Sequence, residues 1–218
     1  MNSIPNQRRS PYYSEEHEVF RASIRRFVER EIEPYITEWD EAGEFPREIY
    51  KKAGEVGLLQ ICYPEEYGGV DCDRFFTIVA YQELCRCGSG GLTAGLSSHT
   101  IGTPHIAQFG SDELKARVLP GVLSGEMISA LAVTEPSGGS DVARLRTTAR
   151  RDGDEYVING QKTFITSGMR ADFVAVAVRT GGEGLGGISL ILVEGDAPGF
   201  SRTLLKKMGW WCSDTATL

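Results

Sequence analysis

The sequence lacks a basic excess, metal-ligand spacing and a long apolar run. Its 23 lysines and arginines stand against 30 aspartates and glutamates, a net charge of −7. Such a chain has no field to hold a polyanion, which excludes a nucleic-acid-binding class. A local basic patch for an anionic cofactor stays open. Cysteine occurs at Cys62, Cys72, Cys85, Cys87 and Cys212, never as a C-x-x-C pair. The histidines, His17, His99 and His105, do not sit at spacings that would complete four converging zinc ligands. The odd cysteine count reads as reduced, partly buried thiols. No apolar run approaches the ~18 residues of a membrane span. Met1 to Ser10 holds Arg8 and Arg9 with no apolar core behind them, so no leader is read there and a cytoplasmic location is expected.

Hydrophobic residues make up 41% of the 218, enough for a packed core. The periodicity is helical at first. Val19, Phe20, Ile24, Phe27, Val28 and Ile32 recur at three- and four-residue steps, with Ser14 as N-cap and Pro34 ending or kinking the helix. Further helices are expected from Pro46 to about Gly57, from Arg74 to Cys85, after the Gly88–Gly95 stretch, over Gly102–Phe109, and over Asp112–Leu123 behind a Ser111 cap. Residues 63–70 read as a loop.

From Met127 the pattern becomes that of strands. Asp152-Gly153 and Asn159-Gly160 are hairpin signals, so 145–151, 155–158 and 162–166 are expected to form an antiparallel meander. Strands are also expected over 173–178, 187–193 and 200–205, with a flexible loop at 181–187. The fold class is therefore α+β, an all-helical unit at 1–126 followed by an antiparallel β-sheet or barrel unit at 127–218. Helices and strands do not alternate, which argues against a Rossmann fold, and neither Gly88–Gly91 nor Gly182–Gly186 matches G-x-G-x-x-G between a strand and a helix.

Two segments can carry chemistry. Leu131–Asp141 reads as a short strand ending in a turn rich in glycine and hydroxyl groups, suited to a flat polar ligand or a phosphate. Gln161–Gly168 follows with Phe164, Thr166 and Ser167. Phe164 and Thr166 are two apart, so on a strand they face the same side. A flavin needs donors at its pyrimidine edge, a group near N5 and a flat contact on one face. Thr134, Thr166 and Phe164 could supply them. Each has a plainer reading: Thr134 and Thr166 as ordinary strand residues, Ser140-Asp141 as a turn, Phe164 as core packing. Lys206 and Lys207 read as a solvated strand end, Ser213–Thr215 as a turn, and His99 and His105 as packed residues.

The segments LAVTEPSGGSDV (131–142), DEYVINGQKTFITSG (154–168) and KKMGWWCSDTATL (206–218), in that order, resemble the acyl-CoA dehydrogenases, which are FAD-dependent. The likeness extends to YPEEYGG (63–69) and IAQFGSDELKARVLPGVLSGE (106–126) and covers nearly the whole chain. It implies an incomplete middle β-domain, truncated before a C-terminal helical bundle. By the same resemblance Leu131, Val133 and Thr134 contact the flavin, and Gly139 and Ser140 lie beside the FAD pyrophosphate. Ser140 also meets substrate, and Phe164, Ile165 and Thr166 lie along the ring. The family more often has Gly-Ala-Gly at 137–139 and Trp at 164. A phenyl ring keeps the stacking and loses an indole N–H, which implies a small change in redox potential.

The family reaction is α,β-dehydrogenation of an acyl-CoA thioester. A carboxylate removes the α-proton, the β-hydride goes to the flavin, and electrons pass to an electron-transfer flavoprotein. That carboxylate belongs to the C-terminal domain, so the base is expected beyond Leu218; Glu135 does not match it. The resemblance also implies a homotetramer or dimer at full length, and little turnover by this chain alone. Acyl-CoA oxidases and flavin monooxygenases share the scaffold, and a non-catalytic assembly module is the reading from outside enzymology.

Overall fold

A computed structural model describes residues 10–218; Arg8 and Arg9 lie outside the described residues. The order is helices first, then strands. Helix α1 (Glu15–Phe27) starts where expected: Ser14 Oγ accepts from the His17 N–H, and His17 Nδ1 accepts from the Ser14 N–H at 2.9 Å. That bond places the ring proton on Nε2, which donates to Asp73 Oδ1 at 3.0 Å. Asp73 in turn caps α4 (Arg74–Leu84) through the Phe75 N–H at 2.8 Å. One imidazole thus joins the caps of two packed helices.

The first helix does not run intact to Pro34. It widens into a π turn at Val28–Ile32, with Glu33 N–H reaching Val28 O at 2.9 Å, before the proline ring ends it. A short helix α2 (Ile36–Ala42), closed by Gly43 at φ 83°, was not foreseen. Helices α3 (Glu48–Glu55), α6 (His99–Gly102) and α7 (Pro104–Phe109) fall in or beside the expected spans, whereas α5 (Gly90–Leu96) is formed by the glycine-rich stretch that was expected to precede a helix. Helix α8 (Asp112–Leu123) has Ser111 Oγ accepting from the Leu114 N–H at 3.2 Å. Ser111→Ala is expected to lower stability by about 1 kcal/mol in urea unfolding.

The strands are β1 (Ser129–Ala132), β2 (Thr148–Asp152), β3 (Glu155–Asn159), β4 (Ile165–Thr166), β5 (Phe173–Arg179), β6 (Ile188–Glu194), β7 (Thr203–Leu204) and β8 (Thr215–Thr217). The seven residues of β5 alternate between two covered faces, and six are buried. On one side β5 pairs antiparallel with β6 along its full length; on the other it pairs parallel with β1, Ser129 opposite Phe173. The sheet is therefore mixed rather than antiparallel. The long excursion from 133 to 172 lets β5 return in the direction of β1, as parallel pairing requires.

The Asp152-Gly153 hairpin forms, with Asp152 opposite Glu155 and Gly153 at φ 61°. The expected third meander strand does not. At Gly160 the chain turns away from β3, and a Cβ there would collide with the Thr147 side chain. Lys162 N–H then bonds Leu218 O at 3.0 Å and Thr163 N–H bonds Thr134 O at 2.9 Å. Strand β4 pairs antiparallel with β8 in a second sheet completed by β7. The backbone hydrogen bonds that β3 would have taken go to two other partners.

Helices and sheets share a core. Ile24, Val28, Ile32, Phe45, Leu59, Leu92 and Leu96 pack with Ile128 and Cys212 from the later part of the chain. Arg47 donates to Glu126 O at 2.7 Å and pairs with the Asp172 carboxylate, which also accepts from the Ile128 N–H. Arg170 donates to Phe45 O at 2.6 Å and lies over the Phe45 ring. No helix among the described residues is long and apolar enough to cross a membrane.

Candidate functional site

Leu131 is in β1, and Val133 and Thr134 follow just beyond its end. Both of their carbonyls are taken by the second segment: Val133 O accepts from Lys162 Nζ at 2.9 Å and Thr134 O from the Thr163 N–H at 2.9 Å. The two segments singled out in the sequence therefore lie side by side. Glu135 and Gly138 exchange two backbone hydrogen bonds of 3.0 Å, closing a tight turn that leaves Pro136, Ser137 and Gly138 exposed. Gly138 sits at φ 155°, a backbone suited to glycine. Gly139 packs against Thr134, and a Cβ there would come within 2.8 Å of Thr134 Oγ1. Ser140 is exposed beside them.

In the second segment Ile165 is buried against Ala130, Val174 and Val176, and Thr166 is half-buried. Phe164 is 69% exposed, so it is not core packing. It lies outside β4 at φ 60°, as does Ser167 on the other side. The strand alternation invoked for Phe164 and Thr166 thus does not reach Phe164; a left-handed residue, rare for a bulky side chain, sets its direction instead. The hydroxyls of Thr134 and Thr166 make no hydrogen bond to other described residues.

Beneath this surface is a buried ion pair. Lys162 Nζ donates to Glu135 Oε1 at 3.0 Å, and both side chains are nearly inaccessible. The Glu135 oxygens also accept from the N–H groups of Arg146 and Thr147, each at 2.8 Å. Burial alone would raise the Glu135 pKa, but these donors outweigh it and hold the carboxyl at about 2. Burial lowers the Lys162 pKa, against the pull of Glu135. Sequence reading missed this pair. Its partners are far apart in the chain, and the only signal was an acidic residue inside the first motif and a single lysine inside the second.

Lys206 is exposed as expected, but Lys207 is not a solvated strand end. Its Nζ donates to Trp210 O at 2.7 Å, to Ser213 O and to Thr215 Oγ1 at 2.9 Å, tying the 207–215 loop into a ring. Asp214 is likewise more than a turn residue. It receives Met169 N–H at 2.9 Å and Arg170 Nε at 2.8 Å, fixing the chain just after Thr166. His99 is buried, and burial drives its pKa down to about 4, in keeping with a packed neutral ring.

The donors and surfaces present fit a flat, hydrogen-bonding ring system. Two accessible hydroxyls and an exposed phenyl ring sit on adjacent segments, next to a turn that a side chain at 139 would crowd.

Profiles described as the acyl-CoA dehydrogenase N-terminal domain and middle domain match residues 14–126 and 130–218. The chain belongs to the acyl-CoA dehydrogenase family. It is 41% identical to the mouse long-chain specific acyl-CoA dehydrogenase, mitochondrial, over 211 residues, which is 94% of this chain and 49% of that relative. It thus spans about half the length of the curated relatives it matches. A probable acyl-CoA dehydrogenase from Mycobacterium abscessus superposes with a TM-score of 0.91 at 50% identity, over 94% of this chain and 55% of the other. An acyl-CoA dehydrogenase from Bacillus anthracis, complexed with FAD, superposes with a TM-score of 0.85 at 33% identity, over 94% and 36%.

Proposed function

We propose that this chain forms the flavin-holding part of an FAD-dependent acyl-CoA dehydrogenase, with the helical unit at 1–126 and the β unit at 127–218. The observation that carries the reading is the contact of segments 131–134 and 162–166, which brings Thr134, Thr166 and the exposed Phe164 onto adjacent stretches of chain. Leu131, Val133 and Thr134 would hold the pyrimidine side of the ring. Phe164, Ile165 and Thr166 would lie along it. Gly139 and Ser140 would border the pyrophosphate, with Ser140 also meeting the acyl-CoA. The FAD complex of the Bacillus anthracis relative supports the choice of ligand.

When bound, FAD supplies the two-electron acceptor for α,β-dehydrogenation of an acyl-CoA thioester. The protein's part is to orient and to exclude alternative proton traffic. Glu135 does not serve as base: its carboxylate is committed to three donors, and a pKa of about 2 makes it a weak proton acceptor at neutral pH. The base is placed outside this sequence. Electron-transfer flavoprotein is the proposed acceptor, a homo-oligomer the proposed assembly and the cytoplasm the proposed location.

Titration of the purified chain with FAD tests the reading. Saturable quenching of flavin fluorescence, weakened about tenfold or more by the double change Thr134→Val and Thr166→Val, is the expected result. Flavin fluorescence unaltered at every protein concentration counts against it.

A further inference from the structure

We propose that Cys62 and Cys72 are an oxidisable dithiol, a modification site that takes a hydroperoxide as oxidant and closes the 62–72 loop with a disulfide. The site is apart from the flavin surface and does not rest on that reading. All five cysteines are free in the structure, but this pair is in contact: the two sulfurs are 3.8 Å apart, and Cys62 Sγ lies 3.4 Å from Cys72 O. The loop ends are already held together. Cys62 N–H donates to Val70 O at 3.0 Å, and Val70 N–H to Gln60 O at 2.9 Å. Cys62 itself is at φ 62°, a conformation uncommon outside glycine and asparagine. Both thiols are half-buried, within reach of a small oxidant, whereas Cys87 and Cys212 are sealed in the core. A disulfide needs the sulfurs at about 2.05 Å, so rotation must bring them closer by roughly 1.8 Å.

The chemistry balances in two steps. The Cys62 sulfur attacks the hydroperoxide and its O–O bond breaks; the products are Cys62 sulfenic acid and an alcohol, or water where the oxidant is hydrogen peroxide. The Cys72 sulfur then displaces the sulfenic hydroxyl, which leaves as water with the thiol proton. Together the thiols lose two electrons and two protons, and the peroxide is reduced. Burial pushes the Cys72 thiol up to about 11, so Cys72 must give up its proton as it attacks, and this second step is the slower one.

The bond would act on the helical unit at two points. Asp73, next to Cys72, caps α4 and receives the His17 bond. Tyr63, next to Cys62, donates its hydroxyl to His99 O at 2.9 Å and lies 2.7 Å from Thr103 Oγ1. Oxidation would fasten the loop to the start of α4 and, through Tyr63, to α6.

The experiment exposes the folded protein to a few equivalents of hydrogen peroxide, alkylates it under denaturing conditions and maps the peptides by mass. After cleavage at lysine and arginine, the expected product is one peptide, residues 53–74, holding both Cys62 and Cys72, two hydrogens lighter than the reduced form and restored by dithiothreitol. In Cys72→Ser, the Cys62 sulfenic acid should instead be captured by dimedone. Full alkylation of Cys62 and Cys72 after treatment that oxidises exposed Cys85 would overturn the proposal, as would pairing of Cys62 with any other cysteine. The wild-type map decides the matter even where the variant fails to fold.

Discussion

Replacing Lys162 with methionine lowers the free energy of unfolding by about 3–5 kcal/mol, the scale for leaving one member of a buried ion pair without its partner. The size of the effect follows from burial. Lys162 and Glu135 are each almost inaccessible, and the lysine also holds Val133 O. Methionine fills much of the same volume, so the loss reports charge rather than packing. Chemical denaturation measures it directly. The double variant with Glu135→Gln should recover part of the loss, because glutamine removes the unpaired charge but keeps one acceptor oxygen, whereas the Arg146 and Thr147 N–H groups bond different oxygens of Glu135. A double variant as unstable as Lys162→Met alone would assign the cost to packing instead.

The same pair sets an acid limit. The folded Glu135 carboxyl, at about 2, lies below its ordinary value of 4.5. A carboxyl whose pKa falls on folding stabilises the protein above the unfolded value, and that contribution is lost as the pH drops through the folded one. Wild-type stability should therefore fall between about pH 4.5 and pH 2. Glu135→Gln should flatten that part of the profile.

Gly139→Leu weakens FAD binding by roughly ten- to a hundredfold, the equivalent of about 1–3 kcal/mol of overcrowding. A Cβ at 139 meets Thr134 Oγ1 at 2.8 Å and its Cγ2 at 3.0 Å, so any side chain there must displace the threonine or the turn. Gly186→Ala is the control, since a Cβ at 186 meets nothing. Equilibrium titration reads the affinity, and thermal unfolding of the unliganded protein separates loss of site from loss of fold. Equal affinity for Gly139→Leu and wild type would remove Thr134 and its turn from the ligand surface.

Much of the helical unit was legible because caps and periodicity are local. Ser14 and Ser111 announce helices that begin one residue later. The Asp152-Gly153 turn was legible for the same reason. What failed was the choice of partner. Asn159-Gly160 carries a hairpin signal equal to that of Asp152-Gly153, yet Lys162 and Thr163 bond Leu218 and Thr134 instead. A turn dipeptide fixes backbone angles and does not state which strand competes for the next N–H. The two motif segments singled out by residue type lie side by side in the structure. The Glu135–Lys162 pair was not legible, because it is made across 27 residues, and neither was the left-handed Phe164.

Strand β1 meets β5 across a separation of 173 − 129 = 44 residues. Closing so long a span loses chain entropy before any rung of the ladder gives something back, so such pairings form slowly. Val133 and Thr134 hang from the end of that ladder. The register of the surface proposed for the cofactor therefore depends on a long-range pairing, and a change that loosens β5 would be felt at Val133 and Thr134.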